Sequence, residues 1–323
     1  MLQEETRMET RIKLGISACL FGEQVRYDGG HSLDRFLTDT LGKYVEYIPV
    51  CPEVECGLGV PRESMRLVGD PGAPRLMTTR TGRDYTERML KWARKRVADL
   101  EHRNLCGFIF KSNSPSSGMK RVKIYNEKGV SAKKGVGIFA RAFIEHFPLL
   151  PVEDDEGLHD PSLRENFIQR IFFFKRWRAL LAQKKSRGSL VDFHTKNKLL
   201  ILSHSLKHHQ TMGKLVTRAK DIPLRDLYEK YQNHLMGALR LRTTIKKNVY
   251  VLQHMISFFK KKLSSDEKQE FLEIIDQYHR GYVPLLVPVT LMNHYVRKYD
   301  QPYLKEQYYL HPHPMELQLR NHA

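Results

Sequence analysis

Residues 108–122 read FIFKSNSPSSGMKRV, and the three parts of this stretch set the architecture around it. Phe108-Ile109-Phe110 has no polar member, the mark of a strand buried on both faces. Lys111 to Gly118 is a loop of small hydroxyl side chains, Pro and Gly, which make tight turns and let backbone approach a ligand. A further strand follows over Arg121–Tyr125. A doubly buried strand needs cover on both sides, and helical patterns flank this one. Tyr85–Leu105 precedes it, with Thr81, Asp84 and Thr86 as capping candidates, and Gly137–His146 follows it. Upstream, IKLGISAC (12–19) and YVEYIPV (44–50) repeat the buried-strand pattern, with helical spacing between them over Leu33–Leu41. Strands alternating with helices predict a three-layer α/β domain with a mainly parallel sheet.

In such a sheet, ligands sit at the carboxyl ends of the strands. Cys19 closes strand one, Cys51 closes strand two, and SNSPSSG follows strand three. Parallel strands would bring all three to one rim. The four cysteines, Cys19, Cys51, Cys56 and Cys106, all lie in the first 106 residues. In a cytoplasmic chain that clustering points away from disulfides, toward metal or redox chemistry or plain buried thiols. Thiolates from three loop ends suit zinc or an iron–sulfur cluster. The four-residue gap between Cys51 and Cys56 is unlike a zinc ribbon.

The opening stretch MLQEETRMETRIKLGI has acidic residues and no apolar core, so a cytoplasmic protein without a secretory signal is expected. The longest apolar run, Tyr282–Met292, is short for a membrane span and carries two prolines, so no membrane contact is expected. The formal charge of +18 is uneven. Residues 1–158 hold 25 Lys and Arg against 22 Asp and Glu, whereas residues 159–323 hold 29 against 14. Polyanion contact and a solvated basic surface both answer to this asymmetry.

Four pieces in order, SACLFGEQVRYDGG (17–30), CPEVECGLGVPRE (51–63), GRDYT (82–86) and SPSSG (114–118), resemble the thiouracil desulfidase family over residues 12–150. HSLKHHQTMG and LLVPVTLMNHYVRKY, within residues 190–320, resemble the YbgA-type domain of unassigned function. The resemblance implies a 4Fe-4S cluster on three ligands, its fourth iron open to sulfur from a thiolated pyrimidine, whether base, nucleoside or nucleic acid. It places ligands at Cys19, Cys51 and Ser117, where the family carries SPSCG and this chain carries serine. Four explanations stand open: ligation through the Ser117 hydroxyl, a third thiolate from Cys56 or Cys106, loss of the cluster, or an introduced serine. Of the two cysteines, Cys56 is favoured because it shares a loop with Cys51.

The resemblance also places an acid at Glu53 and a hydroxyl at Ser114. Exchanging C=S for C=O requires water to add and sulfide to leave, so a carboxyl group must move protons. The other readings of Glu53 are a helix N-terminal carboxylate and a partner for Arg26 or Arg62. Arg26 and Asp28, in the VRYDGG turn, would bind a ring edge or pair with each other, and Ser116 joins them as a substrate contact.

The expected division is an α/β domain over 1–152, a linker over 153–162 containing the acidic run Glu153–Glu156, and an all-α bundle over 163–323. Within the bundle, His204 and His208 are four apart, a spacing that suits a metal, although structural histidines are the simpler reading. Lys246-Lys247 and Lys260-Lys261-Lys262, with Tyr250, Phe258 and Phe259 between them, suit RNA or DNA contact through phosphates and stacking. A core stripe with a solvated lysine edge is the competing reading. A cluster-less nucleic-acid accessory protein is the alternative to the enzyme.

Overall fold

The computed structural model describes residues 11–126, 128–259 and 262–321. It divides into two compact units, the first ending at Asp160 and the second beginning at Pro161.

In the first unit, β1 (Ile12–Ser17), β2 (Val45–Val50), β5 (Gly107–Phe110) and β8 (Val152–Asp154) form one sheet in the order β2-β1-β5-β8. All three pairings are parallel, as the apolar runs of the sequence require. Gly15 permits this packing, because a Cβ there would fall 2.1 Å from the Phe108 ring. Phe108 and Phe110 meet Phe139 and Phe143 with centroid separations of 4.6 to 6.2 Å, which forms the aromatic core under the sheet. Phe139 and Phe143 belong to α3 (Ile138–His146). The preceding helices are α1 (Pro52–Glu55) and α2 (Thr86–Glu101), whose Met89, Ala93, Val97 and Leu100 form its buried stripe.

The strand after the serine loop, β6 (Val122–Tyr125), joins a second sheet with β3 (Met65–Val68), β4 (Arg75–Thr78) and β7 (Ser131–Gly135) in the order β4-β3-β6-β7. That sheet mixes one parallel with two antiparallel pairings. The span Leu33–Leu41, expected as a helix, is only partly helical: a π turn over Phe36–Thr40 runs into a 3-10 turn over Leu41–Lys43.

The acidic run, expected as a linker, is ordered structure. Glu153 and Asp154 lie in β8, paired with Ile109 and Phe110, and Asp155–His159 forms the short helix α4. Two lysines at the ends of the serine loop offset part of its charge. Lys120 Nζ stands 2.7 Å from Glu153 and 3.4 Å from Asp154, and Lys111 holds Asp155.

The second unit is helical: α5 (Pro161–Ala182), α6 (Arg187–His204), α7 (Leu206–Thr217), α8 (Leu224–Arg240), α9 (Ile245–Ile256), α10 (Ser265–His279), α11 (Leu286–Lys298) and α12 (Pro302–Lys305). Trp177 stacks on Tyr231 at 5.4 Å in its core. No helix among the described residues is long and apolar enough to cross a membrane. The expected helix Val191–His209 breaks at Ser205, whose hydroxyl caps α7 by accepting the His208 amide. His204 and His208 are therefore on different helices. His204 is fully buried, with Nδ1 2.7 Å from the Leu241 carbonyl and Nε2 3.2 Å from Gln169 Oε1. Phe259 is buried, Phe258 stacks on Tyr303 at 4.8 Å, and Tyr250 is exposed. Two of the three aromatics offered for base stacking are thus engaged within the bundle. Lys260 and Lys261 lie outside the described residues.

Candidate functional site

Each wall of the site grows from a strand end. Cys19 lies in the single 3-10 turn, Ala18–Phe21, that leaves β1. Cys51 separates β2 from α1, and Glu53 stands in the first turn of α1. The serine loop is shaped by its own backbone: the Gly118 amide donates to the Ser114 carbonyl at 2.8 Å. Ser114 Oγ accepts the Ser117 amide at 3.0 Å and the Ser116 amide at 3.3 Å.

Helix α3 begins directly on this loop. Gly137 N donates to the Gly118 carbonyl (2.7 Å), Ile138 N to Pro115 (3.2 Å), and Phe139 N and Ala140 N to Ser116 (2.9 and 3.1 Å). The first amides of a helix have no partner inside it, so the loop carbonyls satisfy them and are fixed in return. The approach is close: a Cβ on Gly137 would sit 2.5 Å from the Ser116 carbonyl group.

Asp155 pins the other end of the loop. Its carboxylate accepts the Ser112 amide at 2.6 Å and Lys111 Nζ at 2.5 Å, while the Lys111 amide donates to Ser17 Oγ at 2.9 Å. Lys111 and Asp155 were not singled out from sequence. Lys111 directly follows the buried strand, but Asp155 was hidden in a run whose composition resembles a linker.

These elements enclose a cavity of about 400 Å³ lined by Cys19, Cys51, Glu53, Ser114 and Ser117, with Arg26, Arg62 and Lys111 supplying positive charge. The predicted rim is therefore one place. Burial pushes the Cys51 thiol up to about 12, with the Glu53 carboxylate adding to it. Burial also pushes Cys19 up to about 11, against the pull of the Lys111 ammonium. Glu53 is held by the fully buried Ser116, whose Oγ donates to Oε1 at 2.5 Å. Cys51 Sγ donates to Oε2 at 3.6 Å, and Arg62 Nη2 stands 3.9 Å from the same oxygen.

Three expected residues stand elsewhere. Ser116 does not line the cavity; it orients Glu53 from behind. Asp28 is also off the wall: it accepts the Gly30 amide at 3.0 Å and pairs with Arg26 at 3.4 Å, fixing the turn. Arg26 remains on the wall and donates from Nη1 to Ser32 Oγ at 3.0 Å. Cys56 turns its thiol onto the Glu53 backbone carbonyl at 3.2 Å and packs with Leu67, Leu76 and Met89 in an apolar cluster. Cys106 is buried at the amino end of β5, where its amide meets the Lys13 carbonyl. Among the described residues no three of His, Cys, Asp and Glu are grouped to hold a metal ion.

Two family models match the chain: 2-thiouracil desulfurase over residues 14–155, and a protein of unknown function (DUF1722) over residues 198–314. The uncharacterized protein YbgA of Escherichia coli (strain K12) is 30% identical over 158 residues, which is 49% of this chain and 94% of YbgA. The uncharacterized protein YbbK of Bacillus subtilis (strain 168) is 32% identical over 108 residues, 32% of this chain and 71% of YbbK. Among solved structures, the 4Fe-4S-dependent thiouracil desulfidase TudS is similar at 28% identity and a TM-score of 0.40, over 48% of this chain and 98% of that one. The chain thus belongs to the 2-thiouracil desulfurase family through residues 14–155, which contain the whole rim, with a DUF1722 region following at 198–314 and YbgA as a homologue.

Proposed function

We propose that the first unit is an iron–sulfur-dependent desulfidase that replaces the sulfur of a thiolated pyrimidine with oxygen. The observation that carries this reading is the meeting of Cys19, Cys51, Glu53, Ser114 and Ser117 on one cavity in a chain of the 2-thiouracil desulfurase family. The donor chemistry fits a 4Fe-4S cluster held by Cys19, Cys51 and the Ser117 hydroxyl. Two thiols supply soft ligands, and Arg26, Arg62 and Lys111 offset the negative charge of thiolates. Both thiols favour their protonated form, so loading the group expels protons. When bound, the cluster supplies a Lewis-acidic iron for the departing sulfide.

The residues of the chain do the rest. Water adds to the thiocarbonyl carbon, the C–S bond breaks, and the products are a carbonyl and hydrogen sulfide. Glu53 takes the proton of the attacking water on the oxygen facing the cavity, while Ser116 fixes the carboxylate through Oε1. Ser114 turns the loop, and Lys111 and Arg26 favour the thiolate-like charge that develops on sulfur. The test is anaerobic reconstitution with iron and sulfide, comparing the protein with Ser117→Cys. The cysteine variant is expected to hold more cluster, read as absorbance near 400 nm, and to release sulfide faster from 2-thiouracil. If both forms stay colourless and inactive, this function is excluded.

A further inference from the structure

The helical unit holds a second cavity, of about 270 Å³, between the first turns of α11 and the chain beyond Leu310. Leu286, Val289 and Leu310 form its apolar side; Asn293, His313 and Arg320 are on its polar side. No Asp or Glu lines it among the described residues.

Arg320 is the unusual member. It is only 6% exposed, and its guanidinium sits 5.2 Å from the Tyr309 ring centroid. Its ion-pair partner, Glu165, stands 3.6 Å from Nε, beyond hydrogen-bond reach, and Glu165 is shared with the Gln169 amide at 2.6 Å. Nε and Nη1 of Arg320 are buried and have no hydrogen-bond partner among the described residues. Arg176 repeats the pattern beside it. Its Nη1 donates to the Pro312 carbonyl at 3.0 Å, Phe173 and Tyr308 cover its faces, and Nε and Nη2 are buried without partners. Burial pushes His313 down to about 3, and Arg320 and Arg176 add to that shift. A buried guanidinium whose N–H groups lack acceptors is costly, and an anion removes that cost.

We infer that this cavity binds a small oxyanion, a phosphate or carboxylate group on a compact apolar body. The oxygens would meet Arg320 and Asn293, and the body would lie against Leu286, Val289 and Leu310. This site is independent of the sulfur chemistry of the first unit.

The test is titration calorimetry on the full chain at constant ionic strength, with phenyl phosphate, benzoate and inorganic phosphate as probes. Saturable binding of at least one probe is expected, and the preferred probe names the source: phenyl phosphate for a phosphate ester, benzoate for a carboxylate, inorganic phosphate for the free ion. Arg320→Gln should weaken it at least tenfold. So should Asn293→Leu, which fills the cavity without touching the buried charge and decides the matter if the arginine variant does not fold. Absence of saturable binding by all three probes, or equal affinity in Asn293→Leu, would overturn the proposal.

Discussion

In the proposed reaction Glu53 moves protons and Ser117 holds the cluster, so their substitutions should separate. Glu53→Gln keeps the size and most contacts of the side chain but cannot accept a proton. Turnover of a reconstituted enzyme should fall about 10²–10⁴-fold, with the 400 nm absorbance unchanged. Ser116→Ala removes the hydroxyl at 2.5 Å from Oε1. It should lower kcat more than it raises KM, because it disturbs the orientation of the carboxylate and touches no cavity wall. At position 117 the change from oxygen to sulfur is one atom, and no hydrogen bond of the Ser117 hydroxyl shapes the loop among the described residues; the loop is held through the 117 amide. Loading should therefore change in Ser117→Cys with little change in melting temperature.

The serine loop and the helix that starts on it behave as one element. Gly137→Ala would drive a methyl group into the Ser116 carbonyl. A loss of about 1–3 kcal/mol is expected, measurable by urea denaturation, together with poorer cluster loading. Asp155→Asn removes the charge that ties Lys111 and the Ser112 amide to the first residue of α4. The expected loss is about 2 kcal/mol, and full stability after this change would show that the anchor is dispensable. Legibility from sequence follows element type. The parallel strands β1, β2 and β5 could be read from their apolar runs, as at Phe108–Phe110, where burial on both faces leaves no polar residue. From those runs followed the rim of Cys19, Cys51 and the serine loop. Of the second sheet only Arg121–Tyr125 could be read, because a strand such as Ser131–Gly135 is polar and mostly exposed and gains its order from pairing rather than burial. The acidic run misled for a related reason: Lys111 and Lys120, far away in sequence, supply the charge it lacks locally. Spacing along a turn does not say which hydroxyl points inward, so the expectation of Ser116 as a substrate contact does not foresee its place behind Glu53.

At the scale of the whole molecule, the helical unit should lose stability in acid. In the helical unit, burial pushes His194 and His204 down to about 4 and His313 to about 3. A depressed folded pKa means that the neutral form is the one accommodated. Its stabilising contribution is complete above the unfolded value near 6.5 and is lost as pH falls from there toward 4. Helical circular dichroism during urea titration should show a falling midpoint across that window, and His204→Gln should flatten the slope. A midpoint unchanged between pH 7 and 4.5 would contradict this assignment. The docking of α3 on the loop carbonyls has a last consequence. The rim is shaped by hydrogen bonds within the polypeptide, so under the proposed function its fold should not depend on the cluster being seated. Loss of a proposed cluster to oxygen would then leave the scaffold folded, and reconstitution should restore the 400 nm absorbance without refolding.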